Sequence, residues 1–202
     1  MTNCIVIIGA GGHGRVIADT ALLSGYKDVV FLDDAEKCEV EISGKTDDFV
    51  KYLNNCDFFV AIGNNKTRAK ITDKIKNSGA AIVSLIHPSA VIGSNVVIGK
   101  GSFVAPGAII NTGAVIGDGV ILNTASSVDH DCRVGDFSHV SIGSRVAGTV
   151  QIGKGCFIGA GAVIINNTTI CEACVIGAGS VVVKDVVECG TYVGVPARKI
   201  KD

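Results

Sequence analysis

The chain has 202 residues, a formal net charge of −1, 48% hydrophobic and 5% aromatic residues, and no Trp. That balance exerts no general pull on nucleic acid or on an anionic membrane, and no run approaches the roughly 20 apolar residues of a membrane span. The length suits one large or two small domains, with a core filled by Ile, Val and Ala.

The first third reads as strand, glycine turn, helix. Cys4 to Gly9 (CIVIIG) is a short buried strand that runs into Gly9-Ala10-Gly11-Gly12-His13-Gly14. A helix follows on the apolar positions Val16, Ile17, Thr20, Ala21 and Leu23. Further strands are expected at Asp28 to Asp33, Asp57 to Gly63 and Ala81 to Ile86, with a polar-faced helix from Lys66 to Asn77. Strand alternating with helix implies a parallel sheet. The glycines at 9, 11 and 14 match G-x-G-x-x-G in a strand-turn-helix setting, and Asp33 lies where a ribose-binding acid would sit. A full dinucleotide fold needs two βαβαβ halves, and this segment has room for one mononucleotide. A nucleotide-linked sugar is therefore the preferred ligand, on backbone N–H groups at the helix start. NAD and a ligand-free packing domain are the alternatives. His13, within the turn, is better placed to touch such a sugar than to do chemistry.

A second pattern begins after Ile86-His87-Pro88, which marks the expected boundary between a domain of residues 1–86 and one of 87–202. From Ile92 to Val182 every sixth residue is Ile, Val or Leu. Two residues earlier in each hexad stands a small or β-branched residue, such as Ala90, Ser138 or Cys156. The residue after each aliphatic is often Gly or Asn, as at Gly93, Gly117, Asn123 and Gly159. A period of six fits no α-helix but is three strand periods. Each hexad is a short strand followed by a corner, with Gly or Asn expected to supply the bend. Three hexads close one triangular coil, giving a parallel β-helix of a little over five coils, roughly 25 Å tall.

Of the eight cysteines, Cys132, Cys156 and Cys174 occupy the small inward phase and read as buried thiols used as small hydrophobes. Cys171 and Cys174 form a single C-x-x-C with no second pair, which is weak evidence for a zinc site. No segment reads as a secretory leader, and the cysteine usage points to a reducing cytoplasm.

Together these motifs carry a resemblance over the whole chain. G-G-H-G, L-D-D and A-I-G-N-N, followed by a hexapeptide β-helix, resemble the sugar O-acyltransferase family that includes sialic acid O-acetyltransferases. Within it, the stretches Asn123-Thr124, Asp129-His130-Asp131-Cys132 and Gly135-Asp136-Phe137-Ser138-His139-Val140 most resemble UDP-N-acetylbacillosamine N-acetyltransferases. Gly194-Val195-Pro196-Ala197-Arg198 is similar to the closing motif of hexapeptide acyltransferases. The resemblance implies a left-handed β-helix, acetyl-coenzyme A as donor with no metal, a nucleotide-linked amino-sugar as acceptor, and a homotrimer. It assigns sugar-nucleotide contacts to Gly11, Gly12, His13, Asp33, Asp34 and Gly63. It implies coenzyme contacts at His139, Ala160 and Ala178. Asp131 stands where the bacillosamine type carries Glu, which loosens the choice of sugar more than the chemistry. Free sialic acid is the alternative acceptor, and a non-catalytic nucleotide-sugar-binding trimer the alternative class.

Acetyl transfer to an amine needs a base that is neutral near pH 7, and histidine suits this. Of the four histidines, His87 precedes Pro88 and reads as structural. His130 lies at an outward corner, and the resemblance makes it the general base, with Asp131 orienting the imidazole. Asp129 is the rival for that orienting role. Asn123 is either a left-handed corner residue or a sugar contact. His130 and His139 are nine residues apart, half a coil. They should lie on opposed sides of one prism and meet only across the groove between two, placing active sites between subunits. Arg198, Lys199 and Lys201 are candidates to meet coenzyme phosphates, or else form a frayed tail.

Overall fold

The computed structural model describes residues 2–35 and 38–200; Lys201 lies outside them. Three parallel strands form the first sheet, in the order β2-β1-β3: β1 (Cys4–Ile8), β2 (Asp28–Leu32) and β3 (Cys56–Val60). Ile5 to Ile8 and Phe58 to Phe59 are fully buried, as expected of strands covered on both faces. The helix α1 (Gly12–Leu23) follows the glycine turn and α2 (Asn65–Asn77) follows β3. A 3₁₀ turn, Thr46–Tyr52, bridges β2 and β3.

The fourth strand expected at Ala81 to Ile86 does not form in this sheet. Ile82 makes a single bridge to Phe58, and the second half, β4 (Leu85–Ile86), pairs with Phe103–Val104. The hexad register runs one step further back than Ile92, to Ile86, and that step claims the segment for the second architecture.

From there the hexads wind a left-handed parallel β-helix with three flat faces. One face carries β4, Phe103–Val104, Ile121–Leu122, His139–Val140, Phe157–Ile158 and Val175–Ile176; the others start at Val91–Ile92 and Val97–Ile98. Each strand pairs with the one a coil later, such as Ile121 with His139 and His139 with Phe157. The sixth-residue aliphatics from Val104 onward are buried inside, interleaved with Ala108, Ala114, Ala162 and the thiols of Cys132, Cys156 and Cys174.

The corner glycines have a different job from the one expected. Gly93, Gly99, Gly117, Gly135, Gly153 and Gly159 directly follow an aliphatic, and none has a positive φ. A Cβ on any of them would come within 2.4–2.6 Å of atoms in the next coil. They are glycines so that coils can stack. The left-handed residue comes two positions later, and is often not glycine: Ala125, Asp131, Phe137 and Thr149 all have φ between 54° and 59°. Asn123 is not among them, so its reading as a left-handed corner residue is corrected; Ala125 does that work.

The two parts share a core. On the first face the outward side chains Leu85, Phe103 and Ile121 are buried against Ile5, Ile7, Ile17 and Phe59. Two cysteines outside the repeats are paired in a way that the sequence reading did not anticipate. Cys4 and Cys56 are register partners on β1 and β3 and are joined by a disulfide. Partners 52 residues apart in sequence become visible only once the strand register is known. Cys171 and Cys174 remain thiols with Sγ atoms 3.4 Å apart. No helix among the described residues is long and apolar enough to cross a membrane. Arg198 and Lys199 form an exposed strand antiparallel to Tyr192–Val193, with Lys199 Nζ 2.8 Å from Glu188.

Candidate active site

His130 sits at the corner after Ser127–Val128, with its side chain half exposed. Three groups hold it. Its Nδ1 lies 3.0 Å from Asp131 Oδ2. Its backbone N–H donates to Asp129 Oδ1 at 2.7 Å, and its carbonyl accepts from Thr149 N. Asp129 is itself occupied by Asn111 Nδ2 at 2.8 Å, so the rival carboxylate braces the main chain and Asp131 addresses the ring. Two glycines make room: a Cβ on Gly113, one coil before, would lie 2.7 Å from Asp131 Oδ1, and one on Gly148, one coil after, 2.5 Å from His130 Nε2. The hydrogen bond to Asp131 raises the His130 pKa above its ordinary value; burial acts next and the other way, and the charges of Asp129 and Asp131 add to the rise. With Nδ1–H donated to the carboxylate, Nε2 is the nitrogen that carries the lone pair.

His139 is in a different setting and on a different face. Its ring is 7% exposed, because the N-terminal domain covers this face. Nε2 is 3.1 Å from Asn123 Nδ2, and Phe157 packs edge-on with ring centres 5.2 Å apart. His13, in the first turn of α1, lies nearly parallel to it at 6.5 Å and edge-on to Phe103. Nδ1 of His139 and Nε2 of His13 are buried without a hydrogen-bond partner. Burial first, and then Arg68, lower the pKa of His13 to about 4. Burial, Arg68 and His13, in that order, bring His139 to about 4, with a backbone group of Gly63 acting weakly the other way. Both rings are neutral at pH 7. The structure thus brings together His13, Gly63, Asn123 and His139, four residues spread across both domains.

The glycine turn forms a third group. Gly11 and Gly12, with Arg15, Cys38 and Glu39, line an open cleft of about 370 Å³. Gly11 caps α1 with no side-chain hydrogen bond and no acid in the first turn, so the helix start faces this cleft uncompensated. Arg15 and Glu39 pair across it. Gly9 (φ 111°) and Gly14 have packing roles: an added Cβ would meet Ala61 O at 2.8 Å and Gly9 O at 2.0 Å respectively. Asp33 Oδ2 accepts from Ala10 N at 2.7 Å and Oδ1 from Ala35 N at 2.8 Å, so this carboxylate shapes the turn. Asp34 Oδ1 accepts from Thr46 N, and that bond is the main cause of its lowered pKa.

Ala160 and Ala178 are exposed and stack one coil apart, Gly179 N donating to Ala160 O at 2.8 Å. They continue a corner column that runs from Pro106 through Thr124, beside Asn123, and Ile142. Among the described residues no cluster of His, Cys, Asp or Glu is arranged to hold a metal.

Sequence reasoning missed Arg68 and Gly148. Arg68, Thr72 and Ile75 are the buried residues of α2, and that helical spacing was a usable sign that an arginine occupied the inner face. Nothing in the sequence set Gly148 apart from the other glycines.

The family model described as the PglD N-terminal domain matches residues 4–75, and that of the bacterial transferase hexapeptide repeats matches 149–184. The acetyltransferase domain of PglB from Neisseria gonorrhoeae, solved with acetyl coenzyme A, is 38% identical with a TM-score of 0.95; the alignment covers 99% of this chain and 100% of that one. PerB from Caulobacter crescentus, solved with CoA and GDP-perosamine, is 35% identical with a TM-score of 0.92, covering 98% and 97%. A curated UDP-N-acetylbacillosamine N-acetyltransferase of Bacillus subtilis is 32% identical over 112 residues, and this match spans 50% of each protein.

Proposed function

This chain belongs to the family of hexapeptide-repeat sugar acetyltransferases with a PglD-type N-terminal domain, and we propose that it transfers the acetyl group of acetyl-coenzyme A to the amine of a nucleotide-linked 4-amino-sugar. The observation that carries this reading is the His130–Asp131 pair, an exposed imidazole whose Nδ1 is held 3.0 Å from a carboxylate.

The chemistry follows from that pair. The neutral amine attacks the thioester carbonyl, and its proton passes to His130 Nε2 as the C–N bond forms. Asp131 stabilises the imidazolium through Nδ1–H. The C–S bond breaks, and coenzyme A leaves as thiolate and takes up a proton. His139 lies toward the coenzyme in this reading, and its neutral ring, bonded to Asn123, does not compete for the proton. The column of Ala160 and Ala178 lets pantetheine approach the backbone closely. Gly11, Gly12, His13, Asp33, Asp34 and Gly63 surround the acceptor's nucleotide and sugar, with the diphosphate at the start of α1. The solved relatives support both substrates: one was crystallised with acetyl coenzyme A, another with CoA and GDP-perosamine. His130 and His139 sit on different faces of one prism. A homotrimer with His130 of one subunit facing His139 of the next completes the site, and the cytoplasm supplies both substrates.

The test is thiol release from acetyl-coenzyme A across UDP-, GDP- and dTDP-linked 4-amino-sugars, with free sialic acid alongside. Turnover with one amino-sugar, lost in His130→Ala while coenzyme binding persists, is the expected result. Activity on sialic acid alone, or near-normal turnover in His130→Ala, overturns it.

A further inference from the structure

Arg68 is the largest fully buried side chain among the described residues, 1% exposed. Among the described residues no carboxylate pairs with it. Its planar guanidinium has five N–H donors, and they are spent on carbonyls and one amide. Nε donates to Gly119 O at 2.8 Å. Nη1 donates to Ile62 O at 2.9 Å and Gly63 O at 3.1 Å. Nη2 donates to Asn65 Oδ1 and Phe137 O, both at 2.9 Å, and more weakly to Ser138 O. Asn65 extends the set, its Nδ2 donating to Gly155 O and Cys156 O at 3.0 Å.

These acceptors are not scattered. Gly119, Phe137 and Gly155 occupy one left-handed corner position in three successive coils. Immediately after them come Ile121–Leu122, His139–Val140 and Phe157–Ile158, the rungs that face the N-terminal domain. Ile62 and Gly63 belong to the turn between β3 and α2, and Asn65 is the first residue of α2. One guanidinium thus ties the Gly63 turn to the main chain on which His139 is mounted.

We propose that Arg68 is a positioning residue for acetyl transfer, fastening the acceptor-binding turn at Gly63 to the rung that carries His139 and so setting how the two substrates meet. This rests on the acetyltransferase reading above. Burial without a carboxylate is costly for a charged group, and a well-packed apolar residue would serve a merely cohesive contact. What an apolar residue cannot do is fix two loops in one plane through five donors. Lysine cannot either, having three donors on a flexible stem and no fork. The guanidinium also places a positive charge beside His13 and His139, which disfavours their protonation.

The glycine-turn cleft lies within the N-terminal domain and the Ala160–Ala178 column within the β-helix. Loosening the link between them should spoil alignment more than binding. In Arg68→Lys, kcat is expected to fall about 100-fold, the order that a displacement of about 1 Å produces, with both KM values within about 3-fold of wild type. Asn65→Ala removes the outer part of the clasp and should lower kcat about 10-fold; it carries the test should Arg68→Lys fail to fold. Backbone hydrogen exchange on the substrate-free protein gives a readout independent of turnover. Residues 63–65 and 137–139 should exchange about 10-fold faster in Arg68→Lys, with the distant rung Val163–Ile164 unchanged. Wild-type kcat in both folded variants, unchanged exchange at 137–139, or a loss lying wholly in KM overturns the positioning role. A wild-type protein that releases no thiol with any amino-sugar overturns the acetyltransferase reading, and this role with it. An active wild type whose variants lose nothing overturns this role alone.

Discussion

Acidification from about pH 7.5 to about pH 5 should weaken the folded protein chiefly through two histidines buried where the domains meet. In the folded state His13 and His139 are both lowered to about 4 from 6.5, burial being the larger cause and Arg68 the next. Between those values the unfolded chain binds a proton on each ring and the folded chain does not. Stability is therefore complete above the unfolded pKa and lost as pH falls toward the folded one, at about 1.4 kcal/mol per pH unit for each histidine. Over the 1.5 units down to pH 5 this amounts to about 2 kcal/mol per ring, or about 4 kcal/mol for the pair. Asp34, Asp48, Asp129 and Asp136 are lowered from 3.8 and add their share only at lower pH. His130 is raised and works in the opposite sense, since its folded form binds the proton more tightly. The assay is the free energy of urea unfolding at both pH values and one protein concentration, for wild type and for His139→Gln. The variant should start less stable at pH 7.5 and lose about half as much on acidification. A wild-type stability that is flat over this range, or a variant with the full wild-type loss, would refute the argument.

Asp131→Asn replaces the charged acceptor that raises His130 with a neutral one. The acid limb of the kcat/KM profile should move to lower pH and kcat should fall about 100-fold; an unmoved limb would show that Asp131 does not act on the ring. Gly148→Ala places a methyl group against His130 Nε2. Turnover should drop at least about 10-fold at little cost in thermal stability, whereas full activity would mean that the ring is free to step aside. Asp33→Ala deprives Ala10 and Ala35 of their acceptor. A stability loss of about 1–3 kcal/mol with a raised KM for the nucleotide-sugar is expected, and an unchanged KM would separate the turn from the acceptor site.

Periodicity made the β-helix legible, because a six-residue phase survives whatever surrounds it. It placed the interior from Val104 to Val182, and the buried thiols of Cys132, Cys156 and Cys174, from spacing alone. Local chemistry made the glycine turn legible too, since a strand, a Gly-rich bend and a helix start are neighbours in the chain. His130 and Asp131 were legible for the same reason: adjacent at a corner, they reach each other without any distant residue.

Whatever depended on one part lying against another was not legible. The segment at Ala81 to Ile86 has the composition of a strand in either sheet, and pairing with Phe103–Val104 decides between them. The same outward phase that leaves Val91 58% exposed buries Leu85, Phe103 and His139, because only one of three similar faces is covered. That cover makes His139 a neutral, buried ring and Arg68 a clasp between domains. The corner glycines were found for the wrong reason, since a bend is a property of one turn and stacking a property of two. Local order, repeat and adjacent chemistry were thus determined by the sequence alone; the environment of each site was decided by the docking of one domain on one face, which brings together groups that no spacing along the chain relates.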